Sequence, residues 1–298
     1  MNVMAGASVG EADREAQKLI KPYQGMVAWP SAIFGLGCIS AFILFCALAV
    51  TGVIPLWLGM ILNTFVLYAI QTPLHEACHG NIAGRDSSWM WLNHTIGFIC
   101  GALLLHEYKA FRALHLMHHR DTNDAEFDPD HWVKVKNPFR VLLRCLSIVP
   151  YYNYYFFKHI VNRPEVPGNK EIAMHVIATY WGLYTIAFWL LVTGYGIPLL
   201  MLWFIPHILA SALIIFFFAY MVHMPHFDTA RYRDTNIFRV NGVLAPVANW
   251  VYCFQNYHLI HHLYPRIPFY LYPQAFDDVR PVLERQGAHI YEIGHSKA

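Results

Sequence analysis

The chain has little charge: only 13% of its 298 residues are Asp, Glu, Lys or Arg, whereas 56% are hydrophobic. Soluble domains carry roughly 25% charged residues, so the shortage indicates a membrane protein. It also excludes a disordered chain and a basic nucleic-acid-binding arm, and we expect no nucleic-acid partner. The six cysteines form no CxxC pair. A thiolate zinc site, an iron–sulfur cluster and a disulfide-rich scaffold are therefore not expected.

Positive charge is missing altogether from two long parts of the chain. None of the 21 Lys and Arg residues lies at 22–84 or at 171–230. A helix needs about 20 apolar residues to cross a bilayer, and these two parts contain four such stretches. A short turn joins the members of each pair, which predicts two helical hairpins. The predicted spans are 29–50, 53–72, 174–193 and 198–222.

The distribution of Lys and Arg predicts how these spans are oriented. Both hairpin turns lack positive charge, so we expect them to face away from the cytoplasm, with the termini and the central region facing it. Residues 1–25 then form a cytosolic segment, whose mixed charge gives no sign of a cleavable signal peptide. Two further apolar runs, 88–105 and 139–157, contain polar and aromatic residues. They are expected to be interfacial or re-entrant.

The predicted fold is therefore an all-α integral membrane protein. A single domain covers residues 1–298. It comprises four transmembrane helices in two hairpins, interfacial helices and a cytosolic histidine-rich cap. In this multi-pass arrangement, the cap carries the active site on the cytoplasmic side of the membrane.

Histidine is unusually abundant, with 18 residues against 19 Asp and Glu together. Eight histidines occur in three boxes at helical spacing, where positions i, i+3 and i+4 share one face. Each box can therefore direct two or three imidazoles at one point, and all three fall on the predicted cytoplasmic side. The boxes are HEACH (His75, His79), HLMHH (His115, His118, His119) and HLIHH (His258, His261, His262).

Eight imidazoles are more than one metal ion needs. A structural zinc site takes four ligands, usually with Cys, and bis-histidine haem takes one His from each of two facing helices. Two iron ions with open positions that react with O₂ fit the number best. A ninth ligand is expected from His226, with His223 in a supporting role.

Other polar residues near the boxes are candidates for supporting roles. Metal-bound histidines usually donate their second N–H to a carboxylate or carbonyl, for which Asp128 and Asp130 are candidates beside a simple solvated acidic loop. Asn256 could reach the metal directly or through water. His207, inside the fourth predicted span, is either a functional intramembrane group or a residue hydrogen-bonded to a neighbouring helix.

Two longer motifs accompany the second and third boxes: HLMHHRDTNDAEFDPDH at 115–131 and QNYHLIHHLYPRIPFY at 255–270. With HEACH, they make the chain resemble the membrane fatty acid desaturase/hydroxylase superfamily over about residues 30–290, and within it the cyanobacterial-type β-carotene hydroxylases. The resemblance implies a non-haem di-iron centre, O₂ as co-substrate, and electrons from ferredoxin, cytochrome b5 or a similar donor. It implies no catalytic residue beyond the metal ligands.

The sequence departs from that subgroup where the substrate would be selected. HEACH replaces its usual HDASH, Ala125 stands where proline is common, and Phe269-Tyr270 stand in place of two tryptophans. These changes leave the histidines intact and bear on the shape of the substrate pocket.

The sequence thus supports one leading function and two alternatives. The leading hypothesis is hydroxylation of a lipid-soluble hydrocarbon drawn from the bilayer, with the β-carotene ring as the expected substrate. The alternative enzyme is a fatty acyl desaturase, or an acyl-lipid or sterol-like hydroxylase. The third hypothesis is a divalent-metal carrier or sensor, which requires a polar path through the membrane. The spans 29–50 and 53–72 contain no charged residue.

Overall fold

The computed structural model of the protein describes residues 8–294, so residues 1–7 of the predicted cytosolic segment lie outside it. The described chain is mainly helical, with short 3-10 and π segments between the α-helices. The α-helices are α1 (Val9–Ile20), α2 (Trp29–Val50), α3 (Leu56–His79), α4 (Met90–Leu103), α5 (Tyr108–Arg120), α6 (Pro138–Leu146), α7 (Ile148–Phe156), α8 (Asn169–Leu190), α9 (Gly196–Leu199), α10 (Ile205–Ile215), α11 (Ala245–Val251), α12 (His258–Leu263) and α13 (Tyr272–Arg285).

The first predicted hairpin corresponds to α2 and α3, which pack against each other along their length. With 24 residues, α3 is about 36 Å long, more than the hydrocarbon core requires. The helix therefore continues past the predicted end of its span at residue 72, and its last turn carries the first histidine box. Gly80 ends it in the left-handed conformation, with φ of 74°.

The second predicted hairpin lies within one long helical segment, Asn169–Met221, of 53 residues. A straight helix of that length would measure about 80 Å, far more than a bilayer. Gly194 interrupts it with φ of 91°, between the predicted third and fourth spans. Within the described residues, three helices are long and apolar enough to cross a membrane, or up to four if the bent pair described below is counted as one span. On either side of the break, α8 packs on α5 and α10 packs on α3.

The two ambiguous apolar runs form short helices. The segments Ser87–Leu103 and Tyr108–Arg120 meet at 96°, which is the geometry of a broken span or a re-entrant loop. Gly101 allows this bend, because a Cβ there would lie 2.7 Å from the carbonyl oxygen of His106. The run 139–157 becomes α6 and α7, with nine residues each, about 14 Å and too short to cross.

One feature of the cap departs from the predicted all-α fold. Strand β1 (Asn236–Val240) pairs in parallel with strand β2 (His289–Ile293), with Asn236 opposite His289. The pair joins the chain after the last long helix to the C-terminal end of the described residues. Beside it, α1 packs on α13, and the two helices share a hydrophobic core with α12. The third histidine box therefore belongs to a core formed mainly by the cap, to which Phe34 of α2 also contributes.

Candidate metal centre

The histidine boxes lie at the ends of helices that point towards the cap. The last turn of α3 carries the first box, α5 carries the second and α12 carries the third. His223 follows directly after the long helical segment ends at Met221. These elements bring nine imidazoles together in two adjacent groups.

The first group contains five histidines whose nearest ring nitrogens all lie within 4.8 Å of one another: His75, His79, His115, His119 and His261. The Nε2 atom of His115 lies 2.9 Å from that of His79 and 3.1 Å from that of His119. The Nε2 atoms of His119 and His261 are 2.8 Å apart. All three boxes thus contribute nitrogens that converge on one point.

The second group contains four histidines that meet the same criterion: His118, His223, His258 and His262. The Nε2 atom of His258 lies 3.0 Å from that of His223 and 3.1 Å from that of His262. This group takes no member from the first box, and His223 completes it instead.

The second and third boxes supply both groups because successive residues on a helix point about 100° apart. His118 and His119 therefore face different groups, as do His261 and His262. The rings of His119 and His262 stack with centroids 4.3 Å apart across the boundary. Adjacent His-His pairs in the sequence thus place the two groups side by side.

One of these rings is hydrogen-bonded to a carboxylate through its Nδ1 atom. The Nδ1 atom of His118 lies 2.7 Å from Oδ1 of Asp128 and 3.7 Å from Oδ2 of Asp130. Asp128 also accepts the backbone N–H of Asn123 at 2.6 Å. The carboxylate is therefore fixed by its own loop, and it leaves Nε2 of His118 facing the second group. Both predicted carboxylates lie beside the site.

Three further histidines have partners at Nδ1 that the sequence analysis missed. The pairs are His258 with Oε1 of Gln255 at 2.8 Å, His261 with the hydroxyl of Tyr272 at 3.0 Å, and His262 with Oγ1 of Thr122 at 3.2 Å. Engaging Nδ1 fixes the ring and leaves Nε2 free to bind. Gln255 could have been found, because it precedes His258 by three residues. No sequence signal links Tyr272 or Thr122 to their histidines.

The histidines of the third box are buried in surroundings that keep their rings neutral. Burial lowers the pKa of His258, His261 and His262 well below the ordinary histidine value, and the neighbouring imidazoles act in the same direction. These rings are therefore neutral near pH 7, which is the form that binds a metal ion.

The structure places His223, and not His226, among the converging nitrogens. The ring of His226 lies 6.3 Å from that of His223 and packs on Tyr220. Its backbone is left-handed, with φ of 63°, which turns the side chain away from the second group. His226 was the expected ninth ligand, and the structure places it outside both groups.

Two other candidates also lie apart from the nitrogens. Asn256 donates to the carbonyl oxygen of Phe238 at 3.0 Å and to Oδ1 of Asn249 at 2.9 Å, so it ties the third box to β1. His207 lies 3.4 Å from the hydroxyl of Ser211, within the long helical segment. Ser211 is on the same helix, and His207 also hydrogen-bonds to the backbone of Leu104 at the end of the neighbouring helix α4, which agrees with the hydrogen-bonded alternative. His207 belongs to neither histidine group.

A small cavity of about 40 Å³ adjoins both groups. His75, His115 and His258 line its polar side, while Ile214 and Phe218 from the long helical segment line its apolar side. We call it the reaction chamber. The all-nitrogen set of both groups, with its fixed ring orientations, suits two transition-metal ions.

Comparison with known proteins identifies the family. The family model described as "Fatty acid desaturase" matches residues 51–294, and the chain therefore belongs to the fatty acid desaturase family. This family lies within the membrane desaturase/hydroxylase superfamily that the histidine boxes predicted. The closer resemblance to β-carotene hydroxylases is not reproduced among the similar proteins.

Two of the three similar proteins described here are named for fatty acid chemistry. A "Fatty acid conjugase FAC2 B" of Calendula officinalis is 26% identical over 70% of this chain and 63% of its own. A "Delta(12) fatty acid desaturase FAD2" of the same plant is 24% identical over 73% and 64%. A "Dihydrorhizobitoxine desaturase" of Bradyrhizobium elkanii is 23% identical over 69% and 62%. The chain thus spans less than two thirds of the length of these curated relatives.

Proposed function

We propose that this protein is an O₂-dependent, non-haem di-iron oxidoreductase that desaturates or hydroxylates a lipid acyl chain. The observation that supports it is the convergence of five and four imidazole nitrogens beside an apolar chamber. The first ion would be held by His75, His79, His115, His119 and His261, and the second by His118, His223, His258 and His262.

The proposed chemistry requires an external reductant. Desaturation converts –CH₂–CH₂– with O₂, two electrons and two protons into –CH=CH– and two waters. Hydroxylation converts C–H with the same reactants into C–OH and one water. O₂ is the oxidant, and iron bound by the two histidine groups would supply the redox chemistry that activates it. The two electrons would come from ferredoxin, a cytochrome b5-like protein or a similar donor.

The residues of this chain have two tasks in that reaction. Asp128, Gln255 and Tyr272 hold the imidazoles in one orientation, which keeps the nitrogens aimed at the ions. Ile214 and Phe218 exclude water from the chamber and place a methylene group beside the nitrogens.

An open groove of about 540 Å³ supports the electron-donor assignment. It reaches His79 of the first group and is lined by Arg85, Arg112 and Arg266. An acidic donor protein would be attracted to these guanidinium groups. The groove lies apart from the apolar side of the chamber, so reductant and lipid would approach from different directions.

The names of the similar proteins favour an acyl substrate. Hydroxylation of a β-carotene ring remains the second candidate, supported by the motifs at 115–131 and 255–270. We also propose four membrane crossings with the histidine groups on the cytoplasmic side. The left-handed break at Gly194 and the lack of Lys and Arg at 22–84 and 171–230 support this arrangement.

Expression in a bacterial host that makes β-carotene and is fed fatty acids tests the substrate. New double bonds or hydroxyl groups in acyl chains are the expected products, analysed by mass spectrometry beside the carotenoid fraction. Hydroxylated carotenoid without altered acyl chains would favour hydroxylation of the β-carotene ring over the reaction on acyl chains. Iron-loaded protein with a supplied reductant and neither product would refute both.

A pair of histidine variants separates the enzyme from a metal carrier. His118→Ala removes a nitrogen of the second group, so both bound iron and product should be lost. His226→Ala is the matched control, because His226 lies outside both groups and should retain iron and activity. A carrier would change cellular metal uptake without any oxidised lipid.

A further inference from the structure

The reaction chamber is too small to hold an acyl chain as it stands. Its volume is about 40 Å³, whereas ligand pockets are roughly 300–1,000 Å³. A chain that reaches the histidine groups must therefore pass a wall that opens. The apolar side of the chamber, which includes Ile214 and Phe218 of the long helical segment, is where a hydrocarbon could pass while staying in contact with apolar side chains.

An apolar groove of about 660 Å³ lies behind that side of the chamber. Its outer rim is exposed: Phe65 is 62%, Val247 59% and Trp250 52% accessible. Its inner end is formed by the buried residues Tyr68 and Cys253. Because Phe65 and Tyr68 belong to the membrane helix α3, the rim faces lipid tails.

Two aromatic rings form part of the wall between groove and chamber. Tyr68 lines the groove and Phe218 lines the chamber, and their ring centroids are 5.3 Å apart. The helix α3 borders both spaces, because Ala69 lines the groove and Gln71 lines the chamber. Rotation of the Tyr68 and Phe218 rings would therefore open this part of the wall.

A hydrogen bond holds this wall closed. The hydroxyl of Tyr68 donates to the carbonyl oxygen of Val251 at 2.6 Å, at the end of α11. None of the residues of α11 is buried, so the helix is held by few neighbours. Behind it, Cys253 and Phe254 are both left-handed, with φ of 44° and 65°. Two consecutive non-glycine residues in this conformation are strained, and such segments are often switch points.

We propose that this groove is the port through which an acyl chain of a membrane lipid enters from the bilayer, and that Tyr68 is its gate. The inference rests on the proposed function, which assigns an acyl substrate. The chain lies between Phe65, Val247 and Trp250, displaces the ring of Tyr68, and extends past Phe218 to the histidine groups.

Photolabelling in vesicles tests the port. The protein is reconstituted in phosphatidylcholine vesicles in which some lipids carry a diazirine on one acyl chain, and labelled residues are located by mass spectrometry. Label on the buried residues Tyr68 and Cys253 is expected. Ile43, 61% accessible on α2, reports ordinary contact with lipid.

Three variants make the test specific. Val247→Trp fills the groove, and label on Tyr68 and Cys253 should be lost while label on Ile43 stays. Val243→Trp is the matched control: Val243 is 93% accessible and lies outside the groove, so the wild-type pattern should persist. Tyr68→Phe keeps the ring and removes the hydrogen bond, so label on Phe218 should increase. Equal bound iron in all variants shows that they are folded.

The two proposals fail in different ways, because labelling requires no turnover. Labelled Ile43 with unlabelled Tyr68 and Cys253 would overturn the port, whether or not product forms. The same conclusion follows if Val247→Trp leaves the label on these two residues unchanged. Label on Tyr68 and Cys253 that Val247→Trp removes supports the port, even where iron-loaded protein yields no oxidised lipid and the proposed function is refuted.

Discussion

At the scale of single residues, the site depends on the hydrogen-bond partners of the imidazoles as much as on the imidazoles themselves. Four of the nine converging histidines have a partner at Nδ1, and one of these partners, Asp128, carries a charge. A carboxylate on the far side of an imidazole raises the basicity of the nitrogen that faces the metal. The second group should therefore bind its ion more tightly than neutral partners alone would allow.

Asp128→Asn tests this effect with little change in shape. The amide oxygen can still accept one N–H, but the negative charge behind His118 is lost. Partners of this kind are worth about 10–100-fold in metal affinity, and we expect a loss within that range. Iron retained during titration with a chelator measures it. Asp124→Asn, at an exposed position in the same loop, is the control, and equal retention by both variants would contradict the role given to Asp128.

The histidines themselves were predictable because helical spacing is a local property of the sequence. HEACH, HLMHH and HLIHH fix which rings share a helix face before any tertiary contact is known. The choice between His223 and His226 was not predictable in this way. It depends on a left-handed residue after the helix end, and no spacing rule applies there.

At the scale of elements, the sharp turn from α4 into α5 is what brings the second box to the first. α4 packs on α3, and the 96° bend sends α5 across the end of α3. Apolar runs predicted the long helices well, because about 20 apolar residues suffice to identify a span. The strands β1 and β2 escaped prediction because they are short and about 50 residues apart in the sequence, so no local pattern pairs them.

Gly101→Ala should open this bend. Its Cβ would lie 2.7 Å from the carbonyl oxygen of His106, a backbone atom that cannot rotate away. We expect a loss of about 1–3 kcal/mol in stability and reduced bound iron, because α5 carries the second box. Thermal unfolding and metal analysis measure the two effects. Gly37→Ala is the matched control, since nothing lies within 4 Å of its added Cβ. Similar losses in both variants would indicate that the bend is not responsible.

At the scale of the whole molecule, the metal centre lies where two separate hydrophobic cores meet. The membrane core includes Leu74 and Cys78 beside the first box, and the cap core includes Leu259 and Leu263 beside the third. Neither core alone carries all the histidines of one group. Metal ions bridging the boxes would therefore stabilise the docking of cap on membrane helices, since a ligand that binds only the folded state shifts the folding equilibrium.

Acidification should separate the two cores. Burial holds the pKa of His258, His261 and His262 well below 6.5, so they stay neutral in the folded protein and take up protons when the cap unfolds. The unfolded state then binds more protons below pH 6.5, and stability falls as the pH decreases through that value. Each proton that is taken up on unfolding lowers the free energy of unfolding by about 1.4 kcal/mol per pH unit. Between pH 8 and 5, metal analysis and thermal unfolding should show iron loss and a falling transition temperature together, beginning near pH 6.5. Iron retained at pH 5 with an unchanged transition temperature would contradict the prediction, because it would mean that unfolding takes up no net protons in this pH range.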